Sequence, residues 1–218
     1  MDVEDPLKPV DRITQPDPRH DGSRGTLELL HANLNGIQLH AGVPMHVRQL
    51  LETAKNLSLY SWFVYRFHPI AQLIGYASLE RALKERVAHE RRIETDTVRE
   101  TLGPLMELAA TRGWLKNERF EAVRRAAQMQ LRDEQTVRII QSGQIGEEPV
   151  ESPEIEEADI LSRAAQLDYV VRIAESMPYI RNHIAHGGPA LHGGSAVTLR
   201  VVAEAINQLF EAPVVASG

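Results

Sequence analysis

Apolar residues recur every three or four positions through most of the chain beyond residue 44, a spacing that gathers them on one side of an α-helix. Pro44 opens the first such stretch, since proline fits the first turn of a helix. Val47, Leu50, Leu51, Ala54, Leu57 and Leu59 follow at helical spacing. A long helix restarts at Pro69 and runs to about Arg91, with Leu73, Tyr76, Ala77, Leu83 and Val87 on one face. Thr97 to Arg112 reads as a short helix interrupted at Gly103-Pro104, followed by a turn at Gly113-Trp114-Leu115. Asn117 is expected to cap a helix ending near Ile140. Ser152-Pro153-Glu154 then supplies an N-cap, a proline at the first position and an acidic first turn. The helix it starts carries Ile160, Ala164, Leu167, Val171 and Ala174 on one face. Pro178 is expected to kink or restart this helix, and Gly187-Gly188 to end it. After a glycine-rich loop to Gly194, Ser195 caps a last amphipathic helix bearing Leu199, Val202, Ile206, Leu209 and Phe210.

No stretch alternates with the period of a strand, and no internal repeat is present. The pattern predicts an all-α fold, an up-and-down bundle of about five to seven helices. Residues 44–212 form one helical domain in this reading, and 213–218 a short tail. Residues 1–43 form an N-terminal arm, partly irregular, with Pro6, Pro9, Pro16 and Pro18 among charged residues. Within it, Thr26-Leu27-Glu28-Leu29-Leu30 reads equally as a short strand or a helical turn.

Composition narrows the chemistry. The 218 residues include no cysteine, which removes disulfides, thiol catalysis and cysteine-bound zinc. No apolar run approaches the ~18 residues of a membrane span. The polar N-terminus has no apolar signal core, so a cytoplasmic protein is expected. The formal charge is -6, so any contact with nucleic acid has to come from a local basic patch. Arg124, Arg125 and Arg132 in the helix after Asn117 are the candidates for such an RNA track, although a basic helix face is often simply solvated.

The densest chemistry lies in Tyr179-Ile180-Arg181-Asn182-His183-Ile184-Ala185-His186-Gly187-Gly188. Arginine holds a phosphate bidentately. Histidine, with an ordinary pKa near ~6.5, gives or takes a proton at neutral pH. Asn182 precedes His186 by four residues, so both share a helical face. Arg181 and His186 stand about 140° apart on an ideal helix, so they converge only through distortion of the helix end or through a second protomer. Tyr179, His183 and Glu80 are the supporting candidates around these three. Glu80 sits centrally on an apolar face, where it pairs either with Arg181 or Arg66, or in water with Lys84 or Arg81. Tyr179 is placed to contact RNA or to pack in the core. The aromatic run Tyr60 to Phe67 suits core packing better than base stacking. His183, His186 and His192 lack a carboxylate within the segment, so no metal is assigned there.

The run Arg181-Asn182-x-x-x-His186, with Gly187 after it and an amphipathic helix on either side, resembles the signature of the HEPN superfamily of helical, mostly prokaryotic ribonucleases. The stretch from Tyr60 through Leu83 resembles uncharacterised bacterial members. The resemblance implies a homodimer built on the motif helices, with two Arg/His pairs facing each other. It also implies metal-independent cleavage of RNA by transesterification through the 2′-hydroxyl, with no cofactor. A role as a toxin or phage-defence effector, held in check by an antitoxin or other regulatory partner, is implied in the same way. The competing expectation is a catalytically silent helical dimer that binds a partner protein, a nucleotide or RNA through the same surface.

Overall fold

The computed structural model describes residues 5–20, 25–141, 154–188, 191 and 193–211. Among these the protein is all-α: eight helices, with no strand. They are α1 (Leu27–Asn35), α2 (Met45–Tyr60), α3 (Phe67–Arg91), α4 (Leu102–Thr111), α5 (Glu121–Gln141), α6 (Glu157–Ala165), α7 (Tyr169–Ala185) and α8 (Ser195–Phe210). No helix among the described residues is long and apolar enough to cross a membrane.

The centre is α3, which packs on α2, α4, α7 and α8. Its buried face comprises Ala71, Gly75, Tyr76, Leu79, Ala82, Leu83 and Val87. This face is rotated from the sequence reading: Ala77 is exposed and Leu73 only half-buried. Gly75 lets α8 approach closely, because a Cβ there would lie 2.5 Å from Leu199 Cδ2. α2 and α3 form a hairpin through the Ser61–Arg66 connection. α8 runs parallel to α3, as the pairing of His68 with Ser195 and of Gln72 with Thr198 requires. Leu34, Ile37 and Val43 extend the core to residues before position 44.

Several boundaries differ from those read in the sequence: α3 starts at Phe67 rather than Pro69, α4 at Leu102 rather than Thr97, and Gly194 rather than Ser195 is the N-cap of α8. Gly103-Pro104 does not interrupt a helix but lies in the first turn of α4, where amides have no helical partner to lose. The acid-led helix is two helices, with Glu156 as the N-cap of α6 and a break at Gln166–Asp168. Ser152-Pro153 lie outside the described residues. Asn117 bridges this break instead of capping the helix that follows it. Its Oδ1 accepts the Val170 amide at 2.8 Å, and its Nδ2 donates to the Ala165 carbonyl at 3.4 Å. α7 passes through Pro178 without ending. α1, from the ambiguous stretch, and α6, split from α7, take the count among the described residues to eight, one above the five to seven expected.

α5 and α6 stand partly apart. α5 packs chiefly on α6 and on the turn at Asn117–Arg119. Only Val123 and Ala127 of its 21 residues are buried. Met129, Val137 and Ile140 are exposed along it.

Candidate functional site

The motif occupies the last turns of α7. Met177, Ile173 and Val170 turn inward and seat the helix, which leaves Tyr179, Asn182, His183 and His186 open to solvent. α7 ends at Ala185 because Gly187 takes φ +73, a left-handed conformation that favours glycine. The amides of His186, Gly187 and Gly188 close the end, donating to the carbonyls of Asn182, Ile184 and His183. The exposed His183 ring lies over Gly188, where a Cβ would come within 2.1 Å of Nε2 and displace the ring.

Arg181 is held from two sides. Its Nη1 donates to Asn182 Oδ1 at 3.0 Å, and its Nη2 lies 3.8 Å from Glu80 Oε2. The other Glu80 oxygen pairs with Lys84 Nζ at 3.0 Å. Glu80 therefore makes both of the partnerships weighed from the sequence, one along α3 and one across to α7. Asn182 points its side chain to Arg181, and its backbone carbonyl serves His186. Among the described residues, no side chain bonds to the His186 ring, and no contact joins it to Arg181. Tyr179 is 72% exposed and stacks at 6.3 Å on His183, so it is not a core residue. His192 lies outside the described residues.

The arginine candidates on α5 are mostly neutralised. Arg124 lies 3.6 Å from Glu157, and Arg125 pairs with Glu121. Arg132 is exposed on the same helix. The structure does not bring this helix against the motif: α7 packs principally on α3 and α4.

Two clusters had no signal in the sequence. The first is a buried polar relay. His68 Nδ1 lies 2.6 Å from Ser195 Oγ, and Nε2 lies 3.1 Å from Ser61 Oγ. Ser61 donates its own proton to the Ser58 carbonyl, and Ser58 Oγ meets Ser195 Oγ at 2.7 Å. Because Ser61 gives its proton to the Ser58 carbonyl, Nε2–H is the donor to Ser61, and in the neutral ring Nδ1 accepts from Ser195. Burial, reinforced by nearby His20 and opposed by Asp17, pushes its pKa down to about 4. The relay pins the start of α8, and so the far end of the loop leaving the motif. The second cluster joins Asp5, Asp17, Arg19 and His20 of the N-terminal arm to Trp62, Tyr65 and Arg66. It adjoins the same loop, for a Cβ on Gly193 would lie 2.6 Å from the Tyr65 hydroxyl.

The chain matches no protein-family model, no curated protein and no solved structure.

Proposed function

We propose that the protein is a HEPN-type, metal-independent endoribonuclease that works as a homodimer. The observation that supports this best is the state of the motif. Arg181, Asn182 and His186 lie at the open end of α7, and among the described residues no side chain bonds to the His186 ring. A second protomer, packed along the exposed side of α7 at Tyr179, would bring its own Arg181 and His186 to the first pair. One imidazole then takes the proton of the RNA 2′-hydroxyl as that oxygen attacks phosphorus. The guanidinium, steadied by Glu80 and Asn182, meets the negative charge of the phosphorane. The other imidazole gives a proton to the departing 5′-oxygen, which leaves a 2′,3′-cyclic phosphate and a 5′-hydroxyl. A toxin or phage-defence role with a regulatory partner belongs to this reading. The exposed apolar residues of α7 equally suit the second reading, a silent dimer that binds a partner protein, a nucleotide or RNA.

The test is cleavage of total RNA and tRNA by the purified protein in EDTA. Arg181→Ala and His186→Ala are each expected to lower the rate by about 100-fold or more, with cyclic phosphate ends on the wild-type products. A folded dimer that cleaves neither RNA moves the assignment to the binding module.

A further inference from the structure

The N-terminal arm is anchored at one point and merely tethered at another. Residues 17–20 are built into the fold. Asp17 is 6% exposed, its amide donates to the Trp62 carbonyl at 2.9 Å, and its Oδ2 accepts the Tyr65 amide at 3.1 Å. His20 stacks on Trp62 at 4.6 Å and bonds to the Ser61 carbonyl. This anchorage fixes Arg19: its Nη1 reaches Asp17 Oδ2 at 3.2 Å, and its guanidinium lies 5.5 Å from the Tyr65 ring centroid. Residues 5–15, by contrast, bury no side chain, and Leu7 and Val10 are 98% and 88% exposed. What ties their start to the body is one carboxylate. Asp5 Oδ1 takes Arg19 Nη2 at 2.5 Å, and Asp5 Oδ2 takes Arg66 Nε.

Two guanidiniums that converge on the two oxygens of one anion make a geometry suited to phosphate. Arg66 is 59% exposed while Arg19 and Asp5 are 19% and 23%, so the seat opens to a competing anion on its Arg66 side. Tyr65 lies under Arg19 and against Gly193, on the loop that leaves the motif. We propose that Arg19 and Arg66 form a seat for an RNA phosphodiester, and that Asp5 fills this seat in cis until RNA displaces it. This rests on the reading that the motif acts on RNA, and it adds a second binding point at the start of α3, some 14 residues along that helix from Glu80, the partner of Arg181.

The test is fluorescence anisotropy with a fluorescein-labelled oligouridine, in a His186→Ala background that keeps the RNA intact. Asp5→Asn is expected to tighten binding about three- to tenfold at low salt and to steepen the salt dependence by about 0.7, the contribution of one more single-strand phosphate. Adding Arg66→Gln should remove both gains. Circular dichroism confirms that each variant is folded. The proposal is overturned if folded Asp5→Asn binds with unchanged affinity and salt slope, or if its gain survives Arg66→Gln. The nuclease reading fails separately. A responsive Asp5 with no cleavage by the wild type in EDTA keeps the seat and loses the enzyme; cleavage that depends on His186 with an unresponsive Asp5 does the reverse.

Discussion

A histidine ring held in the core between two serines resists a second proton because burial penalises the charge. His68 carries a pKa of about 4 in the fold against its ordinary 6.5, so the unfolded chain binds more protons between those values. Its contribution to stability is therefore complete above about pH 6.5 and drains away as pH falls toward 4. Thermal melting followed from pH 7.5 to 4.5 should show Tm falling in this window. His68→Asn should melt lower at pH 7 yet lose less on acidification; an equally steep fall in the variant would mean that other groups carry the effect. None of this was readable in the sequence, because Ser61 lies 7 positions from His68 and Ser195 lies 127, with no periodicity to link them. The motif residues were readable because they are adjacent in the chain. Glu80 was half readable: its apolar surroundings showed that it needed a partner, and the fold supplied two. Asn182 shares a face with His186, as spacing requires, but its amide serves the neighbouring guanidinium.

At the scale of elements, the α3–α8 seam depends on a missing side chain. Gly75→Ala puts a methyl group against fully buried Leu199 and should destabilise the fold by about 1–3 kcal/mol. The same change in a Leu199→Ala background should cost clearly less, and denaturant titrations of the four proteins measure that coupling. Equal costs in both backgrounds would show that the seam relaxes freely. Helix starts such as that after Pro44 and the end at Arg91 were legible, since propensity and apolar period agree there. The break between α6 and α7 was not. Ile160, Ala164, Leu167 and Val171 keep a helical period straight across it, while Val171 is in fact exposed. The residue that settles the break is Asn117, which satisfies amide and carbonyl groups 53 and 48 positions away. Gly103-Pro104 misled for a different reason: the same dipeptide suits a helix start as well as a turn, and only the position of Thr101 as N-cap decides.

For the molecule as a whole, burial is uneven. α3 and α8 are buried along much of their length, whereas the second half of α5 has no buried residue. Hydrogen exchange should accordingly find the amides of residues 131–141 opening far more readily than those of 76–88 and 199–209. Comparable protection in all three segments would show that something covers α5 in solution. The all-α class was legible because helical period persists through the chain; the order of packing was not, since periodicity says which face is apolar and not which neighbour covers it. That order has a consequence in time. The bonds that fasten α8 to α2, α3 and the Gln38–His40 segment join residues 126 to 169 positions apart. A ribosome adding about 5–20 residues per second makes the His68 region roughly 6–25 seconds before its partners exist. Throughout that interval the nascent chain carries an uncovered apolar groove and an imidazole without its Ser195 partner, so its early life is a matter of waiting for α8.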